Sequence, residues 1–483
     1  MKRSLALLFL AFSTFPALTS VRALAAAPAA KPNVLFIAVD DLRDWMGYLG
    51  DAQVRTPNFD RLAKRGVSFT RSYAISTVCN PSRTATLTGL RPGTSGIYGN
   101  TTDWREALPG VVTIPGHFKA HNYEVLGTGK IFHDGYVRAA DWTEFRTESR
   151  EAIGRNVQET ELRLRGRLPA GAFTVGRNVV TPLDVPDSAL ADHQNATWII
   201  DQLQRPHSAP RFLALGLRKP HPLFEVPRRF FDMYPVEKIQ LPKVNDRDRD
   251  DLPKGGLRMA GSTDEHDTIV KAGKWREMIQ AYLACITFTD VQLGRVLDAL
   301  DASPDRDNTI IVLWSDHGWH LGEKQHWHKF TLWEESTRAP LLWVAPGITH
   351  PGGVCERTVD FTHIFPTLCD LAGLPRPAHV EGLSIRPLLA DPRAAWSTPA
   401  VTTYKFGNHA VRSERWRYIR YDGDGGEELY DHDADPREWT NLAAEARFAA
   451  VKAEHARWLP AVNRPAVETA AAAPKRTKAG RKK

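Results

Sequence analysis

Apolar residues along this chain gather into short unbroken runs, and four of those runs stop at residues equipped for chemistry. Residues 33–39 (NVLFIAV) run into Asp40 and Asp41. Residues 123–126 (YEVL) pass through two glycines to Lys130 and His133. Residues 212–217 (FLALGL) end at Arg218-Lys219-Pro220-His221, and residues 309–314 (TIIVLW) end at Ser315-Asp316-His317. Continuous apolar runs of this length fit strands covered on both faces. Helical periodicity lies between them. It is strongest over 276–301, where Met278, Tyr282, Cys285, Ile286, Val296, Leu297 and Leu300 share one face. Strands alternating with helices predict an α/β fold with a mostly parallel sheet. Ligands of such sheets bind outside the carboxyl ends of the strands, so four strands ending in Asp, Lys, Arg and His predict one converging site.

The texture changes after about residue 376. Residues 409–412 (HAVR), 416–421 (WRYIRY) and 427–430 (EELY) read as short strands, the last two joined by a Gly/Asp turn. The expected organisation is a main α/β domain over 26–375 and a smaller antiparallel unit over 376–465. Regions 140–190 and 235–270 carry no clear periodicity and are rich in Arg, Asp and Pro. Irregular insertions of that length in an enzyme shape substrate access.

Charge refines this picture at both ends. Met1-Lys2-Arg3, the apolar stretch that follows and Ala23-Leu24-Ala25 together read as an export signal over 1–25. The apolar stretch is interrupted by Ser13, Thr14 and Pro16 and is too short to span a bilayer. The expected location is therefore periplasmic or secreted, with no membrane span. The formal charge of +7 falls to −2 once nine cations are set aside, three in the presumed signal and six between Lys475 and Lys483. A nucleic-acid binder spreads basic surface over its fold, which this distribution excludes. Residues 466–483 read as a disordered basic tail. The four cysteines, Cys79, Cys285, Cys355 and Cys369, are too few for a disulfide framework. Pairing of Cys355 with Cys369 is left open.

Residues 77–89 (TVCNPSRTATLTG) carry the most information. Asn80 suits an N-cap, Pro81 the first helical position and Gly89 the helix end. That places Cys79 just before a helix N-terminus, where free N–H groups favour an anion. Arg83 lies one turn in, within reach of the same place.

Cys79-x-Pro81-Ser82-Arg83 resembles the signature of the formylglycine-dependent (type I) sulfatases, in which the cysteine is oxidised to an aldehyde after synthesis. Asp40-Asp41 and Ser315-Asp316-His317-Gly318 resemble the same family, and the likeness runs from Pro32 to about Leu442. Gly129-Lys130-Ile131-Phe132-His133, Lys219-Pro220-His221 and Asp316-His317-Gly318-Trp319 are similar to the iduronate-2-sulfatase branch. The resemblance implies an alkaline-phosphatase-like fold. It also implies a divalent metal, Ca²⁺ first and Mg²⁺ as the alternative, held by Asp40, Asp41, Asp316, His317 and the modified Cys79. Hard oxygen donors suit either ion, whereas a Cys/His zinc site lacks its spaced cysteine pair.

By the same resemblance Lys130 and Lys329 flank the sulfate, Arg83 supports the nucleophile, His221 protonates the leaving alcohol and His133 assists the aldehyde hydrate. Imidazoles suit both proton transfers. Trp319 joins Lys130, His221 and Lys329 as a substrate contact, and Arg218, His409 and Arg412 are further candidates to meet a uronate, while His326 and His328 are expected at the surface. The partners implied are a sulfated, uronate-containing saccharide and a formylglycine-generating enzyme. Two other functions are compatible with parts of the pattern. One is a metal-dependent phosphodiester or phosphonate monoester hydrolase of the same superfamily. The other is a non-catalytic glycan binder, which has no need to keep Cys79, Lys130 and His221.

Overall fold

Strand β1 (Asn33–Val39) sits at the centre because its side chains from Val34 to Val39 are apolar on both faces; all seven residues are buried. Leu35, Ile37 and Val39 point into one apolar core, and Val34, Phe36 and Ala38 point into a second, as the two-residue period of a strand requires. The computed structural model describes residues 31–148 and 170–469. The segments read as an export signal and as most of the basic tail lie outside the described residues.

Eight strands form the main sheet: β1, β2 (Val67–Tyr73), β3 (Glu124–Gly129), β4 (Glu144–Arg146), β5 (Arg211–Leu217), β6 (Thr309–Ser315), β7 (Leu341–Val344) and β8 (Gly353–Asp360), in the spatial order β8-β2-β7-β6-β1-β5-β3-β4. Only β7 runs antiparallel to its neighbours. The four chemically tipped strands are consecutive in space, as β6-β1-β5-β3. Their registers are level: Val39 pairs with Ser315 and Leu217, and Gly129 pairs with Gly216. Residues following these strands therefore emerge at one edge of the sheet. The long helix observed, Trp275–Asp301, carries the predicted apolar face into the same core as Leu35, Ile37 and Val39. Among the described residues no helix is long and apolar enough to cross a membrane.

A close approach of backbones explains two of the glycines. Gly129 adopts φ +73, and a Cβ on Gly216 would lie 2.2 Å from the Lys130 nitrogen and 2.4 Å from its carbonyl carbon. Gly216→Ala is expected to destabilise the fold by about 1–3 kcal/mol, the usual scale of overpacking. Because the atoms met are backbone, it should also displace Lys130. Thermal unfolding of the purified variant checks this; an unchanged midpoint would mean the strands part without cost.

After residue 376 the chain forms a four-stranded antiparallel sheet, β9 (Ala400–Thr403), β10 (His409–Arg412), β11 (Trp416–Arg420) and β12 (Glu427–Asp431). The regions without periodicity are more ordered than expected wherever they are described. Short helices cover Lys254–Ala260 and Asp264–Lys271, and Phe173–Val175 and Asn178–Leu183 join Phe224–Pro227 in a small sheet. All four cysteines are free thiols, so Cys355 and Cys369 do not pair.

Candidate active site at the carboxyl edge of the sheet

Helix α1 spans Cys79–Thr88 and is buried throughout, with Val78 extended at its N-cap and Gly89 in the left-handed conformation at its end. Cys79 thus opens the first turn, because the helix begins two positions earlier than predicted. Asn80 does not cap the helix through its own turn. Its amide donates to the carbonyls of Gly99 (2.9 Å) and Thr102 (2.8 Å), and its backbone N–H donates to the Asn100 side chain (3.0 Å). The start of the helix is therefore fixed by a neighbouring loop.

Cys79 is 1 % exposed. Its Sγ lies 2.9 Å from Lys329 Nζ, 3.4 Å from His317 Nε2 and 3.9 Å from Asp41 Oδ1. Burial pushes the thiol well above its ordinary value, against the opposing charges of Lys130 and Lys329. Asp41 has a left-handed backbone (φ +58), a strained conformation for a non-glycine residue of the kind found at functional sites. It is held there by its N–H, which donates to Asp316 Oδ1 (3.0 Å), and by its carbonyl, which accepts from Tyr282 (2.7 Å).

Arg83 turns away from Cys79. Its Nε donates to Asp316 Oδ2 (2.9 Å), and its Nη2 donates to Asp40 Oδ1 and to the Val39 carbonyl (3.2 Å each). Nη1 donates to the carbonyls of Lys130 and Ile131. This fully buried guanidinium ties the ends of β1, β3 and β6 together rather than touching the sulfur. Lys130 pairs with Asp40, and Lys329 with Asp41 (2.6 Å). Burial acts to raise Asp40, but Lys130, His221 and Arg83 hold it well below the usual carboxylate range. Burial first, then the charges of Asp40 and Asp316, push Asp41 up to about 7 against Lys329.

Asp41, Cys79, Asp316 and His317 each offer a ligand atom within 4.8 Å of the others, and all four are buried. Two observations make this set fit a divalent cation. Asp41 Oδ2 is buried without a hydrogen-bond partner. His317 Nδ1 lies 3.1 Å from the Gly318 carbonyl, which fixes the proton there and leaves the Nε2 lone pair facing the carboxylates. Burial lowers His317 to about 4, so the ring is neutral and able to coordinate. A further acidic group, Glu334, His432 and Glu438, is filled instead by Arg417, whose guanidinium pairs with both glutamates.

His221 Nε2 stands 3.8 Å from Asp41 Oδ2, and 29 % of its side chain is open to the cleft. Burial moves it well below its ordinary value, and solvent at the open face moderates that effect. His133 is lowered to about 4 by burial and by Lys130. Its Nδ1 is buried without a partner.

Trp319 differs from the expectation of a substrate contact. It is 2 % exposed, its ring lies 5.5 Å from Lys329 Nζ, and it meets the His328 ring edge-on at 5.1 Å. Its visible role is to hold the lysine. His326 and His328 are not surface residues either. His326 Nε2 lies 2.8 Å from the Lys329 carbonyl, and His328 Nε2 lies 2.9 Å from Glu265, because the strand pair His320–Leu321 and Trp327–His328 folds them beneath Lys329. The same segment is anchored from the four-stranded antiparallel sheet by Arg417 of β11, which donates to the Leu332 carbonyl (2.9 Å) and pairs with Glu334.

The sulfatase family profile matches residues 32–374, and the profile described as N-sulphoglucosamine sulphohydrolase, C-terminal, matches residues 322–464. A sulfatase of Formosa agariphila is 40% identical over 441 residues, covering 86% of this chain and 84% of that protein. Iduronate 2-sulfatase of Homo sapiens is 33% identical over 390 residues, covering 71% of this chain and 70% of that protein. The solved phosphonate monoester hydrolase of Agrobacterium radiobacter superposes with a TM-score of 0.70 at 24% identity, over 88% of this chain and 94% of that one. At that identity the likeness speaks to the fold alone, an alkaline-phosphatase-like α/β sheet with a small antiparallel sheet after it.

Proposed function

The chain belongs to the sulfatase family, and from that premise we propose that this sulfuric ester hydrolase removes sulfate from a uronate-containing saccharide, using a formylglycine made from Cys79 beside a calcium ion. The observation that carries the reading is the convergence of Cys79, Lys329 and His221 on the Asp41 carboxylate at one buried edge of the sheet. The uronate class rests on the iduronate 2-sulfatases among the relatives. The phosphonate-hydrolase alternative rests on fold likeness alone. Maturation by a formylglycine-generating enzyme and action outside the cytoplasm belong to the same proposal.

Cys79 Sγ here stands where the oxygens of the hydrated aldehyde would be. A buried, protonated thiol is a poor nucleophile, which supports a modified residue 79. A bound cation, held by Asp40, Asp41, Asp316 and His317, would acidify the hydrate and neutralise charge on the sulfate. Lys130 and Lys329 hold the sulfate oxygens with fixed positive charge as the S–O bond opens. One hydroxyl of residue 79 gives its proton to the neighbouring Asp41 carboxylate and forms the new bond to sulfur while the alcohol leaves, taking its proton from His221. His133 then accepts the proton of the second hydroxyl, the carbon–oxygen bond to sulfate breaks, and sulfate departs as the aldehyde returns. A neutral His221 becomes an acid only when charged, and the incoming sulfate raises its proton affinity at that moment.

The test compares a 2-O-sulfated uronate disaccharide with 4-nitrophenyl sulfate. His221→Ala is expected to cut kcat/KM on the disaccharide by about 10²-fold, the scale of acid catalysis, because a sugar alkoxide needs the proton. Nitrophenolate leaves nearly unaided, so its loss should be much smaller. Lys329→Ala should damage both substrates alike, since the sulfate is common to them. Equal losses for His221→Ala on the two substrates would refute the acid assignment. A clear preference for 4-nitrophenyl phosphate over the sulfate would refute the sulfatase reading of the pocket.

A further inference from the structure

His133 and His221 follow different strands, β3 and β5, and nothing in their own side-chain contacts links them. The link is made one residue beyond the first and three before the second. Arg218 Nη1 donates to Asp134 Oδ2 at 2.9 Å and its Nη2 donates to Asp134 Oδ1 at 2.7 Å, a fork-on-fork pair with the geometric specificity of two parallel bonds. The other side of the guanidinium meets Glu148, with Nη2 3.1 Å from Oε2 and Nε 3.3 Å from both carboxylate oxygens. The Arg218 backbone belongs to the His221 turn, since its carbonyl accepts the His221 N–H at 2.8 Å. The buried Asp192 carboxylate fixes that turn from below, accepting the N–H groups of Arg218 (2.8 Å) and Lys219 (2.9 Å).

We propose that Arg218 is a positioning residue, which through Asp134 bolts the His221 turn to the neighbouring His133 turn and so holds the His221 imidazole against the leaving-group side of the sulfate. The Arg218 side chain is 17 % exposed and Asp134 is 51 % exposed. The pair therefore closes at the rim of the cleft, where an unbraced turn would be free to swing. Both arginine faces are occupied by carboxylates, so Arg218 is not left over to bind a substrate anion. The inference rests on the reading of His133 and His221 as the two proton-transfer groups.

Arg218→Ala, Arg218→Lys, Asp134→Asn and the Arg218→Ala/Asp134→Ala double variant are measured beside His221→Ala on the 2-O-sulfated disaccharide and on 4-nitrophenyl sulfate. Misplacing a proton donor lowers kcat and leaves KM nearly unchanged. Arg218→Ala is expected to lower kcat on the disaccharide about tenfold, with less than a twofold loss on the aryl sulfate. Asp134→Asn, at an exposed position with little bearing on folding, should reproduce the Arg218→Ala pattern, with the larger loss on the disaccharide. The double variant should be no worse than the poorer single variant, because each residue acts through the other. Lysine keeps the charge but not the fork and should recover only part of the loss. Equal losses on both substrates, a change confined to KM, or additive effects in the double variant would overturn the proposal. If His221→Ala itself shows no dependence on the leaving group, the acid assignment has failed and this inference falls with it. If His221→Ala shows that dependence and Arg218→Ala does not, this inference alone has failed.

Discussion

Cys79→Ala is expected to fold normally and to lose turnover by about 10⁴-fold or more, the scale on which removal of a covalent nucleophile is felt. Folding should survive because each partner of the sulfur has another anchor. Lys329 keeps its pair with Asp41, His317 keeps the Gly318 carbonyl, and the helix start is held through Asn80. Active protein made with the converting machinery should carry an aldehyde at residue 79, detected as a hydrazide adduct on the peptide that contains Pro81 and Arg83. Cys79→Ser, prepared where no conversion of serine occurs, should also be nearly inactive. A serine hydroxyl accepts the sulfate but has no second hydroxyl to expel it. Fully active enzyme holding only the unmodified thiol would sink the mechanism.

Much of this site can be read from sequence because a parallel strand buried on both faces leaves an unmistakable apolar run. Wherever β1, β3, β5 and β6 stop, the next residues must face the same edge. The strands that escape sequence reading are β2, β4, β7 and β8 of the main sheet and β9 of the antiparallel one. Val67–Tyr73 reads VSFTRSY and Gly353–Asp360 reads GVCERTVD; both are too polar to stand out, and β2 and β8 lie at one margin of the sheet. Pairings that brace the site are equally hidden. Arg417 and Glu334 are 83 residues apart, and Arg218 and Asp134 are 84 apart, so no local periodicity joins them. Trp319 and His328 are misjudged for a related reason. Their neighbours favour an exposed loop, yet the reversal at 320–328 turns both inward beneath Lys329. Arg83 is placed one turn into the helix as expected, but its partners come from three other segments, and only the assembled sheet edge reveals that it faces carboxylates.

Asp316→Ala is expected to abolish stable metal binding and to lower turnover by more than about 10²-fold, since loss of mere outer-shell support already costs 10–100-fold in such sites. Asp316 ties several parts of the site together. Its Oδ1 accepts the N–H groups of Asp41 (3.0 Å) and His317 (3.1 Å), its Oδ2 accepts Arg83 Nε (2.9 Å), and its carbonyl accepts the Ser82 hydroxyl (2.6 Å). Removing the carboxylate would leave a fully buried guanidinium short of a counter-charge, a loss of about 3–5 kcal/mol when one partner of a buried pair is deleted. A fall in activity by itself would therefore not separate metal loss from a loosened core. Asp316→Asn makes that separation. It keeps the shape and one acceptor for the Asp41 N–H but removes the charge that a hard cation requires. Elemental analysis of dialysed protein should find bound calcium in the wild type and little in either variant. Millimolar calcium should restore part of the Asp316→Asn activity and none of that of Cys79→Ala. Thermal unfolding with and without chelator gives a reading independent of turnover: wild type should lose stability on chelation, because a ligand that binds only the folded state stabilises it, whereas both Asp316 variants should show no response. Wild-type protein that holds no metal, or Asp316 variants that keep it, would show that the buried carboxylates serve Arg83 and the two lysines and not a cation.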